Sequence, residues 1–295
     1  MKILVTGARG LLGTEVVADA RARGHEVIAL GREALDVTDA AACRRAMEAP
    51  RPDAVVHCAA YTAVDRAESE PELARALNRD ATRNVAEAAA AQGATMVHVS
   101  TDYVFDGRKR TPYLSSDEPA PISVYGRTKL EGEIAAREAA PGALVVRTSW
   151  LFGAGGGFVS AMLRRAAAGE RLRVVDDQCS RPTWAPDAAR ATLDLLESGA
   201  QGTWHVAGGG ECTRLELLRE ALRVRGLRVE VEPISTANFG APAPRPAYSV
   251  LGLTATEERL GRRMRDWRDA LRQCLLGGDA PAEGRIASSA AAREV

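Results

Sequence analysis

Short apolar runs alternate with helix-like patterns through the first half of the chain. The apolar runs cover residues 2–6, 26–30, 53–58, 95–99 and 143–147, and helical patterns lie near 11–23, 39–48, 70–91 and 124–139. Strands that alternate with helices predict βαβ units, and strands that are apolar throughout are typical of a parallel sheet buried on both faces. The pattern therefore predicts an α/β fold with a Rossmann-type, doubly wound parallel sheet.

The pattern loosens after residue 150. Glycines at 153–157 indicate a loop before a helix at 158–168, and Pro242, Pro244 and Pro246 exclude regular helix or a central strand around them. We expect one domain at residues 1–170 and a smaller C-terminal lobe at 171–277, with some of its segments returning to the main sheet. Residues 278–295 are small and polar, so we expect a disordered tail there.

Three glycines follow the first predicted strand with the spacing Gly7-x-x-Gly10-x-x-Gly13. Glycine at such a junction permits a tight turn and lets a pyrophosphate approach the backbone and the start of the next helix. An ordinary glycine-rich turn is the alternative, which the position at the first strand–helix junction disfavours. The residues expected to contact a dinucleotide here are Gly7, Arg9, Gly10, Leu11, Leu12 and Gly13.

The ends of the second and third strands carry further candidate cofactor contacts. Arg32 stands where NAD-selective folds place an acid, so it favours the 2′-phosphate of NADP, although a solvated arginine is the alternative. Asp36 and Val37 are expected near the adenine, with Thr38 or Asp39 capping the next helix. The small side chains of Ala59 and Ala60, followed by Tyr61, would let the chain pass close to the cofactor, or they could simply pack in the core.

A candidate proton-delivery set lies between residues 100 and 129. Ser100 and Thr101 end an apolar strand, and Tyr125 and Lys129 are spaced by one helical turn. A free tyrosine is a poor acid near neutrality, and a nearby ammonium or a positive nicotinamide would lower its pKa. Together with the glycine loop, this set makes hydride transfer to a carbonyl the leading hypothesis, with Ser100, Tyr125 and Lys129 also touching the cofactor.

The composition of the chain argues against several classes of partner and site. The chain has 295 residues with 39 basic and 39 acidic side chains, so no net field attracts nucleic acid. No apolar run reaches the roughly 20 residues of a membrane span, and glycines interrupt the N-terminal apolar run, so we expect a cytoplasmic protein. Five scattered cysteines and the strand residues His57 and His98 suggest neither a disulfide framework nor a metal site.

The chain resembles the dTDP-4-dehydrorhamnose reductase family of the extended short-chain dehydrogenase/reductase superfamily. The resemblance runs from Met1 to about Leu276. It is carried by GARGLLG (7–13), LDVTD (35–39), CAAYTAVDRAE (58–68), STDYVFDG (100–107), YGRTKLEGE (125–133), RTSWLFG (147–153), DQCSRPT (177–183) and RPAYSVL (245–251).

The resemblance implies roles for individual residues. Thr101, Tyr125 and Lys129 match the catalytic triad, and Arg147, Thr148 and Ser149 match a strand end near the nicotinamide. Thr101 would also orient the substrate carbonyl. The C-terminal lobe becomes substrate-binding, and the matching substrate positions are Asp102, Tyr103, Trp150, Arg245 and Ser249. Arg245 and Ser249 fall in the block that contacts the nucleotide, so Arg245 is expected to pair with its phosphates, aided by the Ser249 hydroxyl. A surface arginine on a proline-rich turn is the alternative.

The loop that shapes the substrate site departs from the family pattern. Ser180 stands where the family commonly has glycine, and Arg181 adds a charge that we expect near the substrate. Some family members bind magnesium at a dimer interface, but the acidic ligands cannot be identified here, so no metal is expected. A homodimer is one candidate assembly.

The implied activity is NADPH-dependent reduction of the C4 ketone of a dTDP-4-keto-6-deoxyhexose, with NADH as a second candidate cofactor. The default substrate is dTDP-4-dehydro-L-rhamnose, and another dTDP-keto-sugar of a secondary-metabolite pathway is the alternative. A dehydratase or epimerase is disfavoured because Tyr103, rather than a second carboxylate, follows Asp102. A non-catalytic NADP-binding regulatory subunit is a further alternative, which the retained Thr101, Tyr125 and Lys129 disfavour.

Overall fold

The computed structural model describes residues 1–154 and 156–277. The strands are β1 (Lys2–Thr6), β2 (Glu26–Leu30), β3 (Ala54–His57), β4 (Thr95–Thr101), β5 (Leu144–Thr148), β6 (Leu151–Phe152), β7 (Leu172–Val175), β8 (Cys179–Ser180), β9 (Thr183–Trp184), β10 (Gly202–His205), β11 (Cys212–Thr213) and β12 (Val231–Ile234). The helices are α1 (Leu11–Ala22), α2 (Ala40–Glu48), α3 (Val64–Ser69), α4 (Pro71–Arg75), α5 (Ala81–Ala91), α6 (Val124–Ala139), α7 (Gly157–Ala167), α8 (Ala185–Glu197), α9 (Arg214–Val224), α10 (Thr236–Phe239), α11 (Thr254–Leu260) and α12 (Trp267–Leu276).

A six-stranded parallel sheet runs in the order β2–β1–β3–β4–β5–β10. The strand order reverses between β1 and β3, and in such sheets ligands bind in the crevice outside the carboxyl ends of the strands at this switch point. The predicted Rossmann-type sheet is therefore confirmed. The crevice at β1 and β3 is the first place to look for a site.

Helices cover both faces of the sheet, as its apolar strands require. One core packs α1 and α8 against residues such as Ile3, Val5 and Val97. The other core packs α2, α5 and α6 against Leu4 and Val55. Alternate side chains of β1 thus enter opposite cores, which is why its whole sequence is apolar.

Local capping explains where several helices begin. Asp39, one of the two expected caps, accepts hydrogen bonds from the N–H groups of Ala41 and Ala42 at 2.8 and 3.0 Å and starts α2. Ser123 accepts one from Gly126 at 3.1 Å and starts α6. Gly10, which precedes α1, offers no side-chain cap, so the first-turn N–H groups of α1 are left to a ligand or to water.

The single helix expected at 70–91 is broken into three pieces. Helix α4 is followed by a π-helical turn at Ala76–Asp80 and then by α5. The π-helical turn buries Asn78, whose carbonyl lies where a Cβ on Gly132 of α6 would come within 2.2 Å. Glycine in α6 therefore allows a close approach of the two segments.

The second half of the chain contributes to both the main sheet and a smaller lobe. Strand β10 pairs with β5 at the sheet edge, and α8 covers one sheet face. The lobe is built on α7, α9 and α12 with three two-stranded sheets, β8–β11, β7–β12 and β6–β9. The expected disordered tail at 278–295 lies outside the described residues. Within residues 1–154 and 156–277, no helix has the length and apolar character of a membrane span.

Candidate active site

A cleft of about 860 Å³ opens at the carboxyl ends of the central strands. It reaches from the glycine loop to the start of α6, so it joins the two features that the sequence singled out. The predicted site residues that line it are Gly7, Arg9, Gly10, Leu11, Leu12, Gly13, Arg32, Asp36, Val37, Ala59, Ala60, Ser100, Thr101, Asp102, Tyr125, Lys129 and Trp150.

The glycine loop fits a dinucleotide. Gly7 has φ +63°, and a Cβ there would lie 2.6 Å from the main-chain nitrogen of Ala59. A Cβ on Gly13 would lie 2.2 Å from the Gly7 carbonyl oxygen. The loop therefore passes against the end of β3 only because these side chains are absent, and it presents the uncapped N-terminus of α1 to the cleft.

The end of the cleft near the second strand carries the cations Arg9 and Arg32 and the carboxylates Glu33 and Asp36. Arg32 is exposed there, and Arg9 pairs with Glu33 at 2.8 Å. The Asp36 carboxylate accepts from the Thr38 hydroxyl and N–H at 2.7 and 2.9 Å, and these bonds lower the pKa of Asp36. Arg32 is thus the cation at this end without a carboxylate in ion-pair contact among the described residues.

Tyr61 differs from the expectation of a cofactor contact. Asn78 holds both main-chain groups of Tyr61, accepting from its N–H at 2.9 Å and donating to its carbonyl at 3.2 Å. The ring packs against Ala67 and Val124, and its hydroxyl donates to Glu70 at 2.6 Å. The side chain is therefore directed into the packing of α3 and α6, while the neighbouring Ala59 and Ala60 line the cleft.

Thr101, Tyr125 and Lys129 converge at the inner end of the cleft. The Thr101 hydroxyl interacts with the Tyr125 hydroxyl, and Lys129 Nζ donates to the Val99 carbonyl at 2.6 Å. Burial raises the pKa of Tyr125 above its usual value, and the Thr101 hydroxyl opposes that shift. The neighbouring Asp102 and Tyr103 also raise the pKa of Tyr125. A protonated phenol is the form that can donate.

A buried network lies beneath Lys129. Burial lowers the pKa of Lys129 to about 8, and Glu133 opposes that shift. Glu133 accepts two hydrogen bonds from Arg147, each of 2.8 Å, and one from Ser100 at 2.6 Å. Ser100 therefore lines the cleft with its hydroxyl committed to Glu133.

The strand histidines are buried beside this network. The rings of His57 and His98 stack with centroids 5.8 Å apart, and Thr6 Oγ1 lies 2.7 Å from His57 Nδ1. Burial lowers the pKa of His57 to about 3, so the ring is neutral. No cluster of three potential metal ligands occurs within residues 1–154 and 156–277.

Hydroxyl groups surround Asp102 at the inner end of the cleft. Ser249 and Ser180 donate to its Oδ2 at 2.5 and 3.2 Å, and Thr101 donates to Oδ1 at 3.2 Å. Burial raises the pKa of Asp102 to about 6 despite these bonds. Ser249, which the resemblance placed at the nucleotide, therefore reaches the site through Asp102.

Two arginines expected at the substrate are engaged elsewhere. Arg245 forms a two-point ion pair with Asp65, with N–O distances of 2.8 and 3.0 Å. Arg181 donates to the carbonyls of Leu251 and Gly210 at 2.8 and 2.9 Å, away from the cleft lining. Both arginines thus have partners within the protein, and Arg245 also interacts with the Tyr103 hydroxyl.

Three residues that contact or support the cleft were not predicted from the sequence. Glu133 is recognisable only in hindsight, as the acid one helical turn after Lys129. Asn78 and Arg214 gave no signal, because each acts on residues distant in the chain. Arg214 lies over the ring of Trp150, with its Cζ 3.6 Å from the ring centroid.

The family of this chain follows from its match to a known family model. The model of the RmlD substrate binding domain matches residues 1–277. The chain belongs to this family. Its sequence is 41% identical over 279 residues to a dTDP-4-dehydrorhamnose reductase of Mycolicibacterium smegmatis, covering 93% of this chain and 85% of that protein.

Two further family relatives are similar along nearly their whole length. A probable dTDP-4,6-dihydroxy-2-methyloxan-3-one 4-ketoreductase of Streptomyces antibioticus is 43% identical, with 93% of this chain and 95% of that protein covered. The crystal structure of a Bacillus anthracis dTDP-4-dehydrorhamnose reductase in complex with NADP superposes with a TM-score of 0.90 at 34% identity, covering 94% and 99% of the two chains. The chain thus combines the fold of this family with the glycine loop and with the converging side chains of Thr101, Tyr125 and Lys129.

Proposed function

We propose that this protein is an NADPH-dependent reductase of the C4 ketone of a dTDP-4-keto-6-deoxyhexose. The observation that carries the proposal is the convergence of Thr101, Tyr125 and Lys129 at the inner end of a cleft whose other end is a dinucleotide loop. The activities named for the reductase relatives of M. smegmatis and S. antibioticus, and the NADP in the B. anthracis structure, support it.

The residues of the site divide the work of reduction. NADPH, when bound, supplies the hydride that adds to C4. Tyr125 donates its phenolic proton to the C4 oxygen, so the ketone becomes an alcohol. Thr101 holds that oxygen through its hydroxyl. Lys129, a turn further along α6, binds the nicotinamide ribose and stabilises the phenolate that remains.

The far end of the cleft favours the phosphorylated cofactor. Arg32 is exposed there, is free of an ion-paired carboxylate among the described residues, and can pair with a 2′-phosphate. NADH lacks that phosphate and gains nothing from Arg32. NADPH is therefore the preferred reductant, with NADH as a weaker alternative.

The substrate proposed first is dTDP-4-dehydro-L-rhamnose, reduced to dTDP-L-rhamnose. The similarity to the S. antibioticus 4-ketoreductase favours a second candidate, another dTDP-4-keto-6-deoxysugar. The lobe at 171–277, with Asp102, Tyr103 and Trp150 facing it, would discriminate between them. The free thiols of the described cysteines suit a cytoplasmic enzyme, and a homodimer is an assembly that light scattering can test.

The deciding experiment offers both keto-sugars to the purified protein with NADPH. We expect consumption of NADPH and, by NMR, a new alcohol at C4 of one sugar. Tyr125→Phe serves as the matched inactive variant. If neither sugar is reduced while NADPH still binds, the catalytic proposal fails and the regulatory-subunit alternative gains. Reduction of the second sugar alone would reassign the substrate.

A further inference from the structure

Arg214, the first residue of α9, brings a cation to the substrate end of the cleft. Its guanidinium carbon lies 3.6 Å from the ring centroid of Trp150 and 5.0 Å from that of Phe158. Trp150 lines the cleft, so Arg214 lies at the edge of the cleft, in contact with one of its lining residues. A guanidinium in contact with a ring face keeps its N–H donors at its edge, where they can bind an oxygen ligand.

The charge of Arg214 is not neutralised by an ion pair within residues 1–154 and 156–277. Its neighbour Arg245 is neutralised by Asp65 at 2.8 Å. The nearby acid is Asp102, whose oxygens accept from Thr101, Ser180 and Ser249. Burial lowers the pKa of Arg214, which is the sign of a cation held in poor solvent without sufficient compensation.

Tyr103 connects this cation to the proton donor. The Tyr103 hydroxyl interacts with the guanidinium groups of both Arg214 and Arg245, and its ring packs edge-on against Tyr125 with centroids 5.6 Å apart. Arg214 therefore lies one side chain away from the residue that would protonate the sugar. Asp65 offsets the charge of Arg245, so Arg214 is the one of these two guanidinium groups that remains available to bind an anion.

We propose that Arg214 binds the diphosphate of the nucleotide-sugar substrate, a role for which the sequence analysis had selected Arg245. This inference rests on the proposed function, which supplies the diphosphate. A guanidinium matches two phosphate oxygens with two parallel N–H bonds. Contact with Trp150 orders the side chain before binding and so reduces the entropy that binding costs. Arg245, held by Asp65, supports Tyr103 instead.

The alternative is that Arg214 only packs against Trp150. A comparison of dTDP with thymidine separates the two roles, since the ligands differ by the diphosphate alone. Isothermal titration would measure both ligands on the wild type, Arg214→Gln and Arg214→Lys. Arg219→Gln is the matched control, because it removes an exposed arginine from the same helix.

We expect Arg214→Gln to weaken dTDP binding by roughly 10- to 100-fold, as for loss of a hydrogen bond to a charged group. Thymidine and NADPH binding should stay within about twofold of wild type, and Arg219→Gln should change none of them. Arg214→Lys should recover part of the loss, because it restores the charge without the planar fork.

Equal weakening of dTDP and thymidine, or no weakening of either, would overturn the assignment. If Arg214→Gln does not fold, Arg214→Lys still decides, since a phosphate contact predicts weaker dTDP binding with unchanged thymidine binding. Failure of the proposed function looks different: the wild type would reduce no keto-sugar, whatever its affinity for dTDP.

Discussion

Glu133 and Arg147 form a two-point ion pair with side-chain exposures of 0% and 3%. The pair lies one helical turn below Lys129, and the Glu133 charge opposes the loss of the Lys129 proton that burial favours. The carboxylate also receives the Ser100 hydroxyl at the end of β4. One buried pair thus ties helix α6 to two central strands and places a negative charge close to Lys129.

Replacing Glu133 with glutamine should therefore destabilise the fold strongly. The variant leaves the Arg147 cation buried without its partner, which typically costs about 3–5 kcal/mol. Urea unfolding followed by circular dichroism would measure the free energy of unfolding. Glu131→Gln, whose carboxylate pairs with Arg75 at 3.2 Å on the partly exposed side of α6, should cost under about 1 kcal/mol. Similar losses in the two variants would contradict this role for the buried pair.

Replacing Tyr125 with phenylalanine removes the proton donor and keeps the ring. We expect keto-sugar turnover to fall by a factor on the order of 10² to 10⁴, with NADPH affinity retained. Steady-state kinetics and fluorescence titration of NADPH would check the two statements. Tyr248→Phe is the matched control, since its hydroxyl lies 3.4 Å from Glu211 outside the cleft lining. Turnover near wild type in Tyr125→Phe would rule out the phenol as the donor.

Replacing Arg32 with alanine should separate the two cofactors. The KM for NADPH should rise by roughly tenfold, because a charge-assisted bond to the 2′-phosphate is lost. The KM for NADH should stay nearly unchanged, so NADH serves as the internal control. An equal rise for both cofactors would mean that Arg32 supports the loop rather than reads the phosphate.

Asp102 predicts a pH-dependent stability. Its folded pKa of about 6 exceeds the ordinary 3.8 because of burial. Between these values the folded protein holds a proton that the unfolded chain has released, so this carboxyl makes the fold less stable as the pH rises through that window. Asp102→Asn cannot ionise and should escape the loss.

Relative to wild type, the asparagine variant should gain on the order of 2 kcal/mol between about pH 4 and pH 7.5. Urea unfolding of both proteins at the two pH values measures that difference, and any constant effect of altered hydrogen bonds cancels. Parallel pH profiles would show that the Asp102 carboxylate is solvated well enough to ionise normally.

The sequence predicted the elements whose signals are local. Apolar runs predicted β1 to β5, because burial on both faces of the sheet restricts the strands to apolar residues. The glycine spacing predicted the loop at 7–13, because close approach of the backbone excludes larger side chains there. Strand β10 was not located, since GTWH at 202–205 is a short edge strand without an apolar run. The break at the π-helical turn also escaped, because the local pattern remains helical while packing against α6 decides the geometry.

Contacts between residues far apart in the sequence could not be predicted either, because they also depend on tertiary packing. Arg245 finds Asp65 across 180 positions of sequence, and nothing local to either residue announces that pairing. Arg181 likewise binds carbonyls of loops far along the chain. A charged side chain near a loop indicates a hydrogen-bond donor. The group that accepts from it depends on which segments the tertiary fold brings close.

The return of β10 to the main sheet restricts how this enzyme can be re-engineered. A chimera joined at residue 171 would import a foreign edge strand and a foreign α8, and a truncation there would leave β5 as an unpaired, apolar edge open to aggregation. Residues 171–277 therefore cannot be exchanged as one separate unit. Grafts that keep β10 and α8 in place and exchange only the loops around 176–182, 207–213 and 240–251 respect the boundaries that the sheet imposes.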